Sequence, residues 1–214
     1  MAIKAFILDL DGVITDTAEF HFQGWKRLAE EEGIEFSRDD NEALRGVSRR
    51  RSLEILLGEH QKEYSEEEMQ EMMDRKNGYY QDLLKQMTDD DLLPGARELL
   101  DTLKESGFKI AVASASRNAK TVLNSLKIMD EFDTISDGHS VDNPKPAPDI
   151  FLHTADKLGV KPEESVVIED AEAGVEAALA AEMTAVGVGP EERVGKAHYR
   201  YDSTAEIDVE EILA

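Results

Sequence analysis

Apolar residues fall along this chain in two rhythms, short unbroken runs and longer stretches in which they return every third or fourth position. The run Ile3, Ala5, Phe6, Ile7, Leu8 has the length of a buried strand and stops abruptly at Asp9, Leu10, Asp11, Gly12. Similar runs predict strands over Phe108 to Ala113, Ser165 to Ile168 and Thr184 to Val188, with a weaker one over Phe132 to Ser136. Helical spacing carries Leu99, Leu100 and Leu103 from a start at Pro94 to a stop at Gly107, and it returns from Pro148 to Leu158. The tail, Ala197 to Ala214, reads as an edge strand and a last helix. Strand alternating with helix predicts an α/β fold, a doubly wound, Rossmann-like parallel sheet.

One stretch breaks the alternation: from 17 to 88 only helical spacing is found. Thr17 to Glu32 carries Ala18, Phe22, Trp25, Leu28 and Ala29 on neighbouring stripes and stops at Gly33, and His21 falls on the inward face. A helical piece over Arg38 to Leu44 leads through the turn Arg45, Gly46, Val47, Ser48 into a helix bearing Leu53, Leu56 and Leu57, stopped at Gly58. Ser48 is a natural N-cap, and the helix start behind it offers free N–H groups to an anion. The longest helix opens on a capping box at Ser65 and follows the stripe Met69, Met73, Lys76, Tyr80, Leu83, Met87. Lys76 stands in that seam where an apolar residue belongs, so it either snorkels to solvent or directs its ammonium at a cleft. The expected organisation is a catalytic core of residues 1–16 plus 89–214 interrupted by an all-helical cap, 17–88. Hinges are expected at Thr15 to Thr17 and at Asp89 to Asp91.

Composition narrows the classes. With 41% hydrophobic and 33% charged residues the chain is globular, and no run has the length of a membrane span. The start, MAIKAFILDLDG, is too short in its apolar part and too acidic for a secretory leader. The lack of cysteine removes disulfides, thiolate metal sites and Cys nucleophiles together, and it accords with a cytoplasmic location. Twenty-four Lys and Arg against 47 Asp and Glu give a net charge of -23, a field that repels nucleic acid and anionic lipid. It repels a phosphorylated substrate too. A phosphate site in this chain must therefore gather its cations locally, which makes every basic residue near a strand end informative. In the triplet Arg49, Arg50, Arg51, a phosphate grip needs Arg49, at the helix start, to point inward, and Arg50 and Arg51 read as surface.

In open α/β sheets ligands bind at the carboxyl ends of the strands. At or just beyond four such ends stand Asp9 with Asp11, Ser114 with Ser116, Lys145, and Glu169 with Asp170. Residues i and i+2 of a strand share a side, so Asp9 and Asp11 are expected to face one pocket. Crowded carboxylates resist joint ionisation unless a cation intervenes, and donors that are all oxygen suit Mg²⁺. One Asp as nucleophile and the other as acid/base is the chemistry that uses such a pair.

DLDGVITDT, over residues 9–17, resembles the DxDGVxxDT motif of the haloacid dehalogenase superfamily of aspartate-nucleophile phosphotransferases. Within it the chain is similar to the β-phosphoglucomutase family over nearly its whole length: TAEFHFQGW resembles that family's hinge and first cap helix, RGVSRR its cap specificity loop, RKN the segment holding Lys76, and SASRN its second phosphate loop. The resemblance implies that Asp9 is the nucleophile and Asp11 the general acid/base. Ser114 and Lys145 would bind the transferring phosphate, with Thr17 and His21 also serving catalysis. Mg²⁺ would be held by Asp9, the backbone carbonyl of Asp11, Glu169 and Asp170. Substrate contacts would come from Asp11, Trp25, Gly46, Val47, Ser48, Arg49, Ser52, Lys76, Ala115, Ser116, Arg117 and Asn118. Arg117 stands where related sequences often carry lysine, which keeps the charge but alters its geometry.

The expected activity is that of a monomeric isomerase interconverting β-glucose 1-phosphate and glucose 6-phosphate through an aspartyl phosphate and a bisphosphate, with the cap closing to exclude water. A sugar-phosphate phosphatase of the same superfamily shares every catalytic residue and stays open, as does a non-catalytic phosphosugar-binding protein.

Overall fold

The computed structural model of the protein describes residues 2–44 and 48–214. By proximity along the backbone the chain forms two compact units, residues 1–16 with 88–214 and residues 17–87. In the first unit, six strands make one sheet: β1 (Ala5–Leu8), β2 (Lys109–Ala113), β3 (Thr134–Ser136), β4 (Ser165–Glu169), β5 (Thr184–Val188) and β6 (Tyr199–Tyr201). Their order is β3-β2-β1-β4-β5-β6 and every pairing is parallel, so the sheet is doubly wound.

All four residues of β1 are buried because both faces of the sheet are covered. Ala5 and Ile7 join one core with Ala111, Ala113, Val167, Phe151 and Val175, while Phe6, on the other side of the pleat, meets Phe108 edge-on at 5.0 Å. The helices of this unit, numbered after the four of the helical unit, are α5 (Ala96–Glu105), α6 (Ala119–Ser125), α7 (Asp149–Leu158), α8 (Glu172–Ala180), α9 (Glu191–Val194) and α10 (Val209–Leu213). The sequence pattern leads to α5, α7 and the tail helix, and it passes over α6, α8 and α9. In α8, EAGVEAALA, small apolar residues lie all round the helix, so no stripe marks it.

The second unit is helical: α1 (Ala18–Glu32), α2 (Arg38–Glu42), α3 (Arg49–Leu57) and α4 (Glu66–Leu84). Gly33 ends α1 in the left-handed region, and the Ser48 and Ser65 side chains accept backbone N–H bonds as N-caps of α3 and α4. Trp25, Leu28, Leu44, Leu53, Leu57, Met69, Met72 and Met73 form its core. In α4 the buried stripe closes on Leu84 rather than Leu83, and Met87 lies beyond the helix, because a straight α-helix drifts off a steady four-and-three rhythm. Among the described residues no helix is long and apolar enough to cross a membrane.

Candidate active site

The parallel register puts three strand ends side by side. Leu8 pairs with Val112 on one flank and Ile168 on the other, so Asp9, Ala113 and Glu169 follow in the same layer. Asp9 continues the ladder by donating its N–H to the Ile168 carbonyl at 2.9 Å. β1 itself ends at Leu8, so the alternation argument does not reach Asp11. Asp11 lies in the following turn, where Gly12 takes φ +80° and donates to the Thr15 carbonyl at 2.7 Å.

Lys145 ties this layer together. Its Nζ donates to Asp9 Oδ1 at 2.5 Å, to Glu169 Oε1 at 2.5 Å and to the Ala113 carbonyl at 3.0 Å, and it lies 4.8 Å from the centre of the Phe151 ring. Asp9 and Glu169 are 7% and 2% exposed, so all three charges are largely out of water. Burial alone would lower the Lys145 ammonium, but the Asp9 and Glu169 carboxylates outweigh it and hold the group above its ordinary value. Burial, helped by the nearby Asp9 charge, raises Glu169 against the pull of Lys145. One ammonium between two carboxylates leaves the trio with a negative charge when all are ionised.

The loop after β2 is built by its own hydroxyls. Ser114 Oγ accepts from the Ser116 N–H at 3.1 Å and Ser116 Oγ accepts from the Asn118 N–H at 3.2 Å. Ser114 and Asn118 are buried, whereas Ala115 and Arg117 are exposed. Gly138 supports the loop from below: a Cβ there would fall 2.4 Å from the Ala115 carbonyl oxygen. Asp170 stands against the first loop, since a Cβ on Gly12 would lie 2.4 Å from its Cγ.

The donor set fits a hard divalent cation. Asp9, Asp11 and Asp170 offer oxygen only, and the charge left over around Lys145 is negative. Among the described residues no three His, Asp or Glu side chains converge as a ready-made cage. Mg²⁺ commonly takes one or two carboxylates and keeps several waters. Glu169, also an expected ligand, has Oε1 on Lys145 and Oε2 on the Ala171 N–H at 3.0 Å.

In the helical unit a second group assembles where α1 faces α4. Thr17, His21 and Trp25, four residues apart, meet Lys76 and Tyr80. His21 stacks on Tyr80 with centroids 4.1 Å apart, and Tyr80 donates its hydroxyl to Thr17 Oγ1 at 3.0 Å. Lys76 Nζ is 2.7 Å from His21 Nδ1 and lies over the Trp25 and Tyr80 rings at 4.8 and 5.0 Å. An ammonium can only donate, so Nδ1 accepts and the imidazole is neutral. Burial first, then the Lys76 and Arg49 charges, hold His21 well below its usual range. Lys76 is 2% exposed, so it does not snorkel.

Arg49 Nη2 donates to Asn77 Oδ1 at 2.8 Å, and Ser52 is buried on the first turn of α3. Arg50 and Arg51 bridge surface carboxylates, Arg50 to Glu54 and Glu66 and Arg51 to Glu54. Gly46 and Val47, expected to touch substrate, lie outside the described residues.

Two residues near these groups escape sequence reasoning. Asn77 holds Arg49, and Arg193 Nη1 comes 3.7 Å from Asp170 Oδ2. The second had a usable signal: Arg193 is a basic residue five positions past the end of the strand predicted to finish at Val188.

A family model for haloacid dehalogenase-like hydrolases matches residues 3–182. The chain is 51% identical over 189 residues to a β-phosphoglucomutase of Bacillus subtilis, covering 87% of this chain and 84% of that one. It is 34% identical over 215 residues to a phosphorylated carbohydrates phosphatase of Thermotoga maritima, covering 99% and 97%. Among solved structures it superposes on a β-phosphoglucomutase of Clostridium difficile with TM-score 0.92 and 46% identity, covering 98% of this chain and 95% of that one.

Proposed function

The chain belongs to the haloacid dehalogenase-like hydrolase family, and from that premise we propose that it interconverts β-D-glucose 1-phosphate and glucose 6-phosphate, an isomerase reaction carried by a phosphorylated aspartate. The observation that carries the phosphoryl-transfer reading is the buried Asp9 carboxylate with one oxygen fastened to Lys145. The choice of isomerase over hydrolase follows the 51% identity to the Bacillus enzyme.

With Oδ1 on Lys145, Oδ2 of Asp9 is the oxygen that attacks phosphorus. The bond from Oδ2 to phosphorus forms as the bond from phosphorus to the departing sugar oxygen breaks, and Asp11 hands that oxygen its proton. In the reverse sense Asp11 takes the proton from the attacking hydroxyl. The cycle passes the phosphoryl group from Asp9 to O6 of β-glucose 1-phosphate, the bisphosphate turns round, and the O1 phosphoryl returns to Asp9 as glucose 6-phosphate leaves. Lys145, held charged by its carboxylates, offsets charge on the transferring oxygens together with the Ser114 hydroxyl. Ser116, Arg117 and Asn118 suit the phosphate that stays in place.

Asp9, Asp170 and the Asp11 carbonyl would hold Mg²⁺, which when bound supplies further neutralisation of the phosphoryl group. Glu169 acts by holding Lys145. In the helical unit, the Lys76 and Arg49 charges beside the Trp25 face suit a hexose phosphate, with His21 orienting Lys76 and Thr17 fixing Tyr80 beneath it.

A coupled assay with β- and α-glucose 1-phosphate, scoring glucose 6-phosphate and free phosphate side by side, tests the reading. Glucose 6-phosphate from the β anomer with little free phosphate is expected. Stoichiometric phosphate without glucose 6-phosphate would make the chain a hydrolase like its Thermotoga relative, and no turnover of either anomer would leave a binding protein.

A further inference from the structure

We infer that Arg193 is a positioning residue for divalent-cation binding, acting through Asp170. The inference rests on the reading of Asp170 as a ligand to Mg²⁺. Arg193 Nη1 lies 3.7 Å from Asp170 Oδ2, and the same carboxylate packs against Gly12, where a Cβ would fall 2.4 Å from both Cγ and Oδ2. Asp170 thus has a glycine and a guanidinium among its near neighbours.

The backbone around the guanidinium is closely packed. Arg193 belongs to α9, a single turn packed onto the end of β5, and two glycines make room for it. A Cβ on Gly187 would lie 2.6 Å from Val194 Cβ, and a Cβ on Gly189 would lie 2.6 Å from Arg193 Nη2. Gly189 takes φ +125°, and its carbonyl accepts from Arg200 Nε at 3.0 Å, which pins the backbone that the guanidinium rests on.

Arg193 is not placed by a full set of hydrogen bonds. Its Nε is buried and meets no acceptor among the described residues. The side chain as a whole is 34% exposed, and the atom it turns toward Asp170 is Nη1, so the ion pair with Asp170 is its one carboxylate contact among the described residues. A cation ligand needs its carboxylate held at one orientation, and removing such outer partners from other metal sites weakens metal binding roughly ten- to a hundredfold. Arg193 also carries positive charge toward the cation, which opposes binding. We assign the larger effect to orientation, since Gly12 leaves the carboxylate little room and Arg193 attracts its Oδ2.

The test is direct titration of the full chain with MgCl₂ by isothermal calorimetry, without sugar phosphate, for wild type, Arg193→Met, Arg193→Lys and Asp170→Asn. Methionine keeps the aliphatic packing and removes the charge. The expected result is a Mg²⁺ Kd raised roughly tenfold or more by methionine and largely restored by lysine. At saturating Mg²⁺, the KM for β-glucose 1-phosphate should be unchanged. A Kd for Arg193→Met within twofold of wild type, or tighter, overturns the inference. So does an equal loss in the methionine and lysine variants, which would mark a packing role. Unaltered Mg²⁺ binding by Asp170→Asn, or none by wild type, instead removes the ligand reading on which the inference rests.

Discussion

Lys145, Asp9 and Glu169 put three ionisable groups within hydrogen-bonding distance in a place almost closed to water. Such a cluster is costly unless each charge is met, and here one ammonium serves two carboxylates. Asp9→Asn should abolish both turnover and phosphorylation of the protein, read by intact mass after incubation with β-glucose 1,6-bisphosphate; a phosphorylated variant would remove Asp9 as nucleophile. His21 makes a separate prediction. Its imidazole is held neutral in the fold, well below the ordinary value near 6.5. Above pH 6.5 folded and unfolded chains are both neutral at this residue. Below it the unfolded chain takes up a proton that the fold refuses, so stability is lost as pH falls toward the depressed value. The slope from one such group is at most about 1.4 kcal/mol per pH unit. Urea titrations between pH 5 and 7.5 should show this loss, and His21→Gln should flatten it; an unchanged profile would mean the ring is not held neutral. At this scale the sequence named Asp9, Lys145 and Glu169, the last as an expected cation ligand. Only the fold shows its Oε1 on Lys145 and its Oε2 on the Ala171 N–H.

Elements were legible wherever the chain punctuates itself. Gly33 and Gly58 stop helices where expected, Ser48 and Ser65 cap them, and β5 spans Thr184–Val188 as its apolar run does. Of the three helices that escaped notice, α8 is the one that seats the layer of Asp9, Lys145 and Glu169. A Cβ on Gly174, inside α8, would fall 1.9 Å from Glu169 Cδ, so the helix can approach the end of β4 only with glycine there. Alanine is the better helix former by about 1 kcal/mol, yet Gly174→Ala should destabilise the protein by about 1–3 kcal/mol through overpacking. Turnover should fall with it as Glu169 is pushed against Lys145. Urea unfolding with a parallel rate measurement checks both. A more stable and fully active variant would show that the helix can shift away freely. Propensity reads a glycine in a helix as a weakness; contact with a residue five positions back on another element gives it a reason.

A net charge of -23 acts on the whole molecule. Individual surface ion pairs such as Arg50 with Glu66 contribute little, so mutual repulsion of the excess carboxylates should dominate the salt response. The melting temperature should therefore rise between about 10 mM and 200 mM NaCl, as the screening length shortens to below about 10 Å. A flat or falling Tm by calorimetry would mean that local pairs outweigh the net charge. The sequence by itself determined the acidity, the α/β alternation, the helical interruption and the standing of Asp9 and Glu169 at strand ends, because each depends on composition or on neighbours a few positions away. The strand order β3-β2-β1-β4-β5-β6, the bond from Lys145 to Asp9 across 136 residues and the approach of Arg193 to Asp170 were decided by tertiary structure alone. Those depend on which strand ends the packed helices bring side by side, and local periodicity carries no record of that.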